Sequence, residues 1–227
     1  LRGFTTFSES LLPEDLMKLL NAYFNAMTVP ILKEDGTIDK FIGDAIMAFW
    51  NAPLFIPEHE TKAVRAALRM DQALTVFNEK NGTNLHMGIG LHTGACVVGN
   101  VGGEERISYT ALGDVINLGS RLESLTKKYG VTIIISEEVK NKLIPGEFTL
   151  RKLDVVRVKG KNKSTTLYQV ITNSDITKGD IDAYEKAFQL YQDGKFKDAE
   201  VIFKGLLGKE DEPSKLMLSR IKDLSEK

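Results

Sequence analysis

One segment of this chain, Asp39 to Trp50, constrains the fold more than any other. It reads Asp-Lys-Phe-Ile-Gly-Asp-Ala-Ile-Met-Ala-Phe-Trp, so two apolar runs flank the pair Gly43-Asp44. Because glycine tolerates a positive φ and aspartate can hydrogen-bond its own backbone, this pair favours a tight turn. The segment therefore predicts a β-hairpin with Asp44 at its tip and Lys40 at its base. Taken alone, it leaves open an ordinary turn with one solvated carboxylate and one solvated ammonium group.

The apolar pattern on both sides of this hairpin predicts further helices and strands. Helical spacing of apolar residues predicts helices over 16–33, 58–81, 114–129 and 137–143. Alternation and β-branched runs predict strands over 85–92, 95–101, 131–135, 148–158 and 166–171. The turn pair Thr93-Gly94 joins the first two of these strands into a second hairpin, while 1–11 and 102–106 are predicted loops.

This order of elements predicts an α+β fold with a largely antiparallel sheet and helices on one face. A further strand before Leu1 would make the first half a ferredoxin-like βαββαβ core. We expect this domain to span residues 1–171, followed by a polar linker over 172–180. Residues 181–227 carry apolar stripes at helical spacing and resemble one tetratricopeptide unit. Since one such unit cannot bury its own apolar face, we expect it to pack on the main domain or on a neighbour.

Composition excludes several classes of protein. The formal net charge of −1 gives no reason to expect nucleic acid or an acidic membrane as a partner. The single cysteine, Cys96, excludes an internal disulfide and suits a reducing compartment, so we expect a cytoplasmic location. No run of about 18 apolar residues is present, so we expect no membrane segment here. The chain begins inside a motif, and we expect a regulatory or membrane domain upstream.

Two groups of residues could bind an anionic ligand and its metal ion. Asp44 offers one carboxylate, and Mg²⁺ sites that act on phosphates use one or two such groups. The backbone amides of residues 1–6, around Gly3, could hold an anion. A plain turn and a surface loop remain the alternatives for these two groups.

Two other groups carry cationic or amide donors. Asn117 and Arg121 lie four residues apart on a predicted helix, so they share one face and could bind a ribose oxygen and a phosphate. Lys159 and Lys161 flank a glycine and could neutralise a polyphosphate. A solvated helix face and a basic turn are the corresponding alternatives.

Together these segments resemble the class III nucleotidyl cyclases, over residues 1 to about 171. The matching blocks, in order, are Arg2-Gly3-Phe4-Thr5, Lys40-Phe41-Ile42-Gly43-Asp44, His92-Thr93-Gly94, Tyr109-Thr110 with Gly113-Asp114-Val115-Ile116-Asn117 and Arg121, and Val158-Lys159-Gly160-Lys161. The resemblance implies a homodimer with two active sites at its interface, each built from both chains.

The resemblance also implies roles for individual residues. Asp44 and the backbone carbonyl of Leu1 would bind metal, and the amides of Gly3, Phe4, Thr5 and Thr6 would hold the terminal phosphates. From the partner chain, Lys40 and Thr110 would read the adenine. Asn117 would position the ribose, Arg121 would stabilise the α-phosphate, and Lys159 and Lys161 would meet the β- and γ-phosphates.

The implied reaction converts ATP to 3′,5′-cyclic AMP and pyrophosphate with two Mg²⁺ or Mn²⁺ ions. Lys40 with Thr110 resembles the adenylyl pattern, since guanylyl enzymes usually carry Glu and Cys at these positions. One departure is that the first metal aspartate of the family would immediately precede Leu1. The alternatives are a guanylyl cyclase and a non-catalytic cyclase-like domain that binds nucleotide or only dimerises.

Overall fold

The computed structural model describes residues 1–103, 105–157, 164–172 and 175–225. The helices are α1 (Phe4–Glu9), α2 (Pro13–Lys33), α3 (His59–Asn81), α4 (Asp114–Tyr129), α5 (Glu137–Lys140), α6 (Lys178–Gln192), α7 (Phe196–Leu206) and α8 (Glu212–Ser225). The strands are β1 (Thr37–Ile42), β2 (Ala45–Phe49), β3 (Ile89–Leu91), β4 (Val97–Gly103), β5 (Arg106–Leu112), β6 (Ile133–Ser136), β7 (Leu150–Arg157) and β8 (Ser164–Val170). The predicted α+β class is confirmed.

The hairpin predicted from Asp39–Trp50 is present as β1 and β2. Phe41 pairs with Ile46, and Gly43 adopts a positive φ of 61° at the turn. Helices α2 and α3 pack together beside it around a small apolar cluster. That cluster contains Tyr23, Met27, Leu74, Phe77, Leu85 and Met87.

The second predicted hairpin is wrong in its pairing. Strand β3 pairs in parallel with β6, whereas β4 pairs antiparallel with β5. Parallel neighbours need a crossover connection, which here runs through β4, β5 and α4. Most of the predicted polar loop over 102–106 is instead strand, because Gly102 and Gly103 belong to β4 and Arg106 begins β5.

The strands in the described part of the chain form three sheets, where the sequence predicts one. The largest has the order β3-β6-β8-β7, with antiparallel pairing except between β3 and β6. The β1–β2 and β4–β5 hairpins form two separate two-stranded sheets. The ferredoxin-like arrangement of a single sheet stays a prediction.

Two other boundaries differ from the prediction. Residues 4–9 form the short helix α1 inside the predicted loop, because Gly3 turns the backbone at a φ of 67° and accepts a hydrogen bond from Phe7 N.

Helix α6 begins at Lys178, inside the predicted linker. There Thr177 and Asp180 form a capping box, which satisfies donors at the start of the helix. Hydrogen bonds from Lys209 and Thr177 lower the pKa of Asp180 to about 2.

The three C-terminal helices α6–α8, which we call the helical tail, share a core with the preceding domain. Leu122 and Tyr129 of α4 and Leu153 of β7 lie in one buried cluster with residues of the tail. The tail contributes Tyr184, Ala187, Phe188, Ala199, Phe203, Met217 and Ile221. The resemblance of this tail to a tetratricopeptide unit stays a prediction. No helix in the described ranges is both long and apolar enough to cross a bilayer.

A buried arginine joins the tail to strand β7. Arg151 exposes 1% of its surface, and its guanidinium lies 2.7 Å from Asp211 Oδ1 and 2.6 Å from Gln169 Oε1. The same guanidinium stacks over the Tyr184 ring, 4.6 Å from its centroid. Because each of its three nitrogen atoms donates to a polar partner, this charge is tolerated in the core.

We expect Asp211→Ala to destabilise the protein strongly. The substitution leaves the Arg151 guanidinium buried beside a missing carboxylate, which costs about 3–5 kcal/mol in comparable sites. Guanidinium-chloride unfolding at neutral pH measures this loss. As a control, Lys209→Ala removes the more exposed Lys209–Asp180 pair and should cost much less. Equal losses in the two variants would contradict the role given to Arg151.

Candidate active site

The tip of the β1–β2 hairpin meets the first residue of the chain. Asp44 follows Gly43 in the turn, and its Oδ2 lies 2.5 Å from the amino group of Leu1, which carries a positive charge at the start of this chain. The Asp44 side chain is 24% exposed, so it is accessible from solvent. Burial, assisted by the nearby Asp44 charge, raises the pKa of Tyr23. Asp44 and Leu1 are therefore neighbours, but the contact is with the amino group of Leu1, and metal binding by the Leu1 carbonyl stays a prediction.

The predicted anion-binding amides lie in the first turn of α1. Backbone N–H groups in the first turn of a helix lack acceptors within that helix. Arg2 fixes this segment against α4, because its guanidinium donates to the carbonyls of Thr126 and Val131 and its backbone N–H donates to His86 O. Sequence reasoning gave Arg2 no separate role, since the partners of its side chain lie more than a hundred residues away.

Lys40 and Thr110, predicted to read a purine, meet between strands β1 and β5. Lys40 Nζ donates to Thr110 Oγ1 at 3.1 Å, across 70 residues of sequence. Thr110 is buried, whereas the Lys40 side chain is 44% exposed. The pair thus presents an ammonium group to solvent next to a hydroxyl group.

Asp39 is a third member of this group, and sequence reasoning missed it. Its Oδ2 accepts hydrogen bonds from Thr110 Oγ1 at 2.6 Å and from Ala111 N at 3.1 Å. Its Oδ1 lies 3.2 Å from Lys40 Nζ. Strict strand alternation puts neighbouring residues on opposite faces. The register of β1 shifts between Ile38 and Lys40, and such a bulge turns both side chains toward β5.

Lys40 and Asp44 thus contact different parts of the chain. Lys40 contacts β5, whereas Asp44 contacts Leu1, three residues before α1 begins. This separation is compatible with the implied division of the two residues between different active sites of a dimer.

Asn117 and Arg121 lie on the exposed face of α4. A neighbouring face of the helix buries Leu118 and Leu122 in the core shared with the helical tail. Strand β3 supports the helix from below at Gly90. A Cβ at this position would lie 2.2 Å from Glu123 N and 2.4 Å from Gly119 O. The helix therefore rests directly on the strand backbone.

Lys159 and Lys161 fall outside the described residues. Across the ranges that the structure describes, no group of three or more His, Cys, Asp or Glu side chains gathers in a way that could hold a metal ion. Asp44 provides a single carboxylate, which suits one Mg²⁺ or Mn²⁺ ligand when substrate oxygens supply others.

Residues 1–172 match the adenylate and guanylate cyclase catalytic domain family. An adenylate cyclase of Anabaena cylindrica is 41% identical over 180 residues, covering 75% of this chain and 35% of that protein. Adenylate cyclase 1 of Rhizobium meliloti is 36% identical over 172 residues, covering 74% of this chain and 26% of that protein. The chain therefore spans about a third or less of these curated relatives.

Solved structures give the same result. The adenylyl cyclase CyaB from P. aeruginosa superposes with a TM-score of 0.69 at 35% identity, covering 76% of this chain and 90% of that one. The guanylyl cyclase Cya2 superposes with a TM-score of 0.68 at 35% identity, covering 75% and 87%. This chain belongs to the adenylate and guanylate cyclase catalytic domain family.

We expect Gly90→Ala to displace α4 and destabilise the domain. The added methyl group would overlap backbone atoms that cannot rotate away, and overpacking of this kind costs about 1–3 kcal/mol. Denaturant unfolding measures the loss. Gly119→Ala on α4 is the matched control, because its Cβ meets nothing within 4 Å. That control should stabilise the helix by about 0.5–1 kcal/mol, and a loss in both variants would argue against the close contact.

Proposed function

We propose that this domain is the catalytic domain of an adenylyl cyclase, which converts ATP to 3′,5′-cyclic AMP and pyrophosphate. One observation carries the proposal. Lys40 Nζ and Thr110 Oγ1, the residues predicted to read adenine, lie 3.1 Å apart although 70 residues separate them in sequence. Family membership and relatives named adenylate cyclase support the same conclusion.

The reaction would be an in-line displacement at the α-phosphorus. The ribose 3′-oxygen forms a bond to the α-phosphorus, the bond to the β-phosphate oxygen breaks, and the hydroxyl proton passes to solvent. Asn117 would position the ribose, and Arg121 would stabilise the charge that develops on the α-phosphate. The amides of residues 3–6, with Lys159 and Lys161, would hold the leaving pyrophosphate. Alignment of these groups supplies much of the acceleration.

Asp44 and the Leu1 carbonyl would bind a divalent cation at the hairpin tip. Mg²⁺ or Mn²⁺, when bound, lowers the pKa of the attacking hydroxyl and neutralises phosphate charge. A site for two ions needs a second carboxylate, which the family resemblance puts immediately before Leu1. Asp44 would then be one of two aspartates at the complete site.

We propose a homodimer, with each active site shared between the chains. The β4–β5 hairpin supports this proposal, because Val97, Ile107 and Leu112 each expose half or more of their surface. Phe41 and Ile42 of β1 are also exposed. Val97 and Leu112 are paired across the hairpin and share one face, which gives an exposed apolar patch of the kind that marks interaction sites.

A guanylyl cyclase is the second candidate, because the guanylyl cyclase Cya2 resembles this chain as closely as CyaB does. The Lys40–Thr110 pair argues against it, since the resemblance associates Glu and Cys with guanine. The substrate panel described below separates the two candidates.

Complementation between inactive chains tests the shared site. In the full-length natural protein, Asp44→Ala and Arg121→Ala should each abolish cyclic AMP formation. A mixture of the two should regain activity, because each mixed dimer rebuilds one intact site. Random pairing of equal amounts gives about a quarter of the wild-type activity, since half of the dimers carry one of two sites.

The matched control mixes Arg121→Ala with Lys40→Ala. Both residues belong to the same half of the site, so neither site of the mixed dimer is intact and no activity should return. Differently tagged chains show whether mixed dimers form. If they form and the Asp44 mixture stays inactive, the shared-site proposal is wrong.

A substrate panel tests the proposed base preference. Wild-type protein should turn over ATP with a higher kcat/KM than GTP. Combining Lys40→Glu with Thr110→Cys should reverse the preference, by about tenfold to a hundredfold in the ratio, because the hydrogen-bonding groups facing the base are exchanged. A wild-type enzyme that prefers GTP would establish the guanylyl alternative.

A further inference from the structure

We infer that Asp39 determines base specificity by fixing the proton of the Thr110 hydroxyl, so that this hydroxyl can only accept a hydrogen bond from the base. The inference rests on the proposed function, because it assigns Lys40 and Thr110 to the base of the substrate nucleotide. Asp39 itself would not touch the base and is therefore a positioning residue.

The Asp39 carboxylate is buried, and its hydrogen bonds are formed mainly with residues of strand β5. Its side chain is 1% exposed, and Oδ2 accepts from both Thr110 Oγ1 at 2.6 Å and Ala111 N at 3.1 Å. The second oxygen, Oδ1, is buried without a hydrogen-bond partner. It lies 3.2 Å from Lys40 Nζ, so the contact with that ammonium group is an ion pair without hydrogen-bond alignment.

The proton of the Thr110 hydroxyl group is consequently donated to Asp39 and is not available to a ligand. A hydroxyl group has one proton and two acceptor lone pairs, whereas a carboxylate can only accept. Thr110 therefore donates to Asp39, and one of its lone pairs accepts from Lys40 Nζ. One lone pair is left for a ligand. The Lys40 ammonium group has three protons, and at least one remains to donate to a ligand.

The pair thus offers one acceptor and one donor in a fixed order. Adenine presents an exocyclic amino donor next to the N1 acceptor, which complements this order. Guanine presents a carbonyl acceptor next to an N1–H donor, which opposes it when ribose and phosphates hold the base in the same orientation. A buried polar group left facing a like group costs affinity, so guanine is rejected.

Without Asp39 the hydroxyl group could rotate. It could then donate to the guanine carbonyl as readily as it accepts from the adenine amino group. Selectivity would fall mainly because GTP is accepted better, while ATP would lose little. If Asp39 were only a structural anchor between β1 and β5, its removal would instead lower the activity with ATP and the activity with GTP by the same factor.

The experiment measures kcat/KM for ATP and GTP, and the Kd of each by calorimetry, in the full-length natural protein. Asp39→Ala should lower the ATP-to-GTP ratio about tenfold, which is the effect of one hydrogen bond. Asp39→Asn is the matched control. In this variant the Ala111 N–H needs an acceptor at the former Oδ2 position, so the side-chain amide places its oxygen there. Thr110 therefore still has an acceptor for its proton, and the ATP-to-GTP ratio should change less than about twofold.

A double-mutant cycle isolates the coupling through Thr110. In a Thr110→Val background, Asp39→Ala should no longer change the ratio, because there is no hydroxyl group to orient. If Asp39→Ala does not fold, Asp39→Ser replaces it, since its shorter side chain cannot reach Thr110 Oγ1 in the same way. Because the ratio is measured on one preparation, a partly unfolded sample does not alter it.

The outcomes separate this inference from the proposed function. An unchanged ratio in Asp39→Ala or Asp39→Ser, with a wild-type enzyme that prefers ATP, overturns the inference and leaves the proposed function intact. Equal loss of selectivity in Asp39→Asn and Asp39→Ala also overturns it, because the charge alone would then matter. A wild-type protein that does not turn over ATP contradicts the proposed function itself.

Discussion

Helix α4 can rest on strand β3 only because residue 90 has no side chain. Any Cβ there would overlap backbone atoms of Glu123 and Gly119. This contact sets the height of the helix above the sheet. It therefore also sets the position of Asn117 and Arg121 on the exposed face of the helix, the residues that would contact the proposed substrate. Since the proposed displacement at phosphorus needs closely aligned groups, the geometry of the proposed site would depend on this packing.

The other face of α4 is held by the helical tail. Leu118 and Leu122 share their buried cluster with residues of α6, α7 and α8. Arg220 of α8 reinforces this contact, because it hydrogen-bonds both Asp154 and the Tyr129 hydroxyl at the end of α4. The tail is thus continuous with the core of the family domain, although the family match ends at residue 172.

The polar group formed by Asp39, Lys40 and Thr110 depends on a different feature, an irregularity in strand β1. A bulge in β1 lets two consecutive side chains face strand β5 of the neighbouring sheet, and a buried carboxylate then orients a hydroxyl group. Buried polar groups of this kind are costly unless their partners are complete, so their arrangement is fixed rather than adaptable. A rigid donor–acceptor pair is what discrimination between two purines requires.

The sequence by itself determined the β1–β2 hairpin, the long helices, the family and the residues expected at the site, because these depend on local periodicity, turn chemistry and ordered motifs. The sequence did not predict the features that depend on long-range packing. The pairing of β4 with β5, the helix hidden in residues 4–9 and the buried Arg151–Asp211 pair have no local signal. Asp39 is the clearest case: only the bulge, a tertiary feature, moves its carboxylate onto Thr110, because regular strand alternation would turn it away.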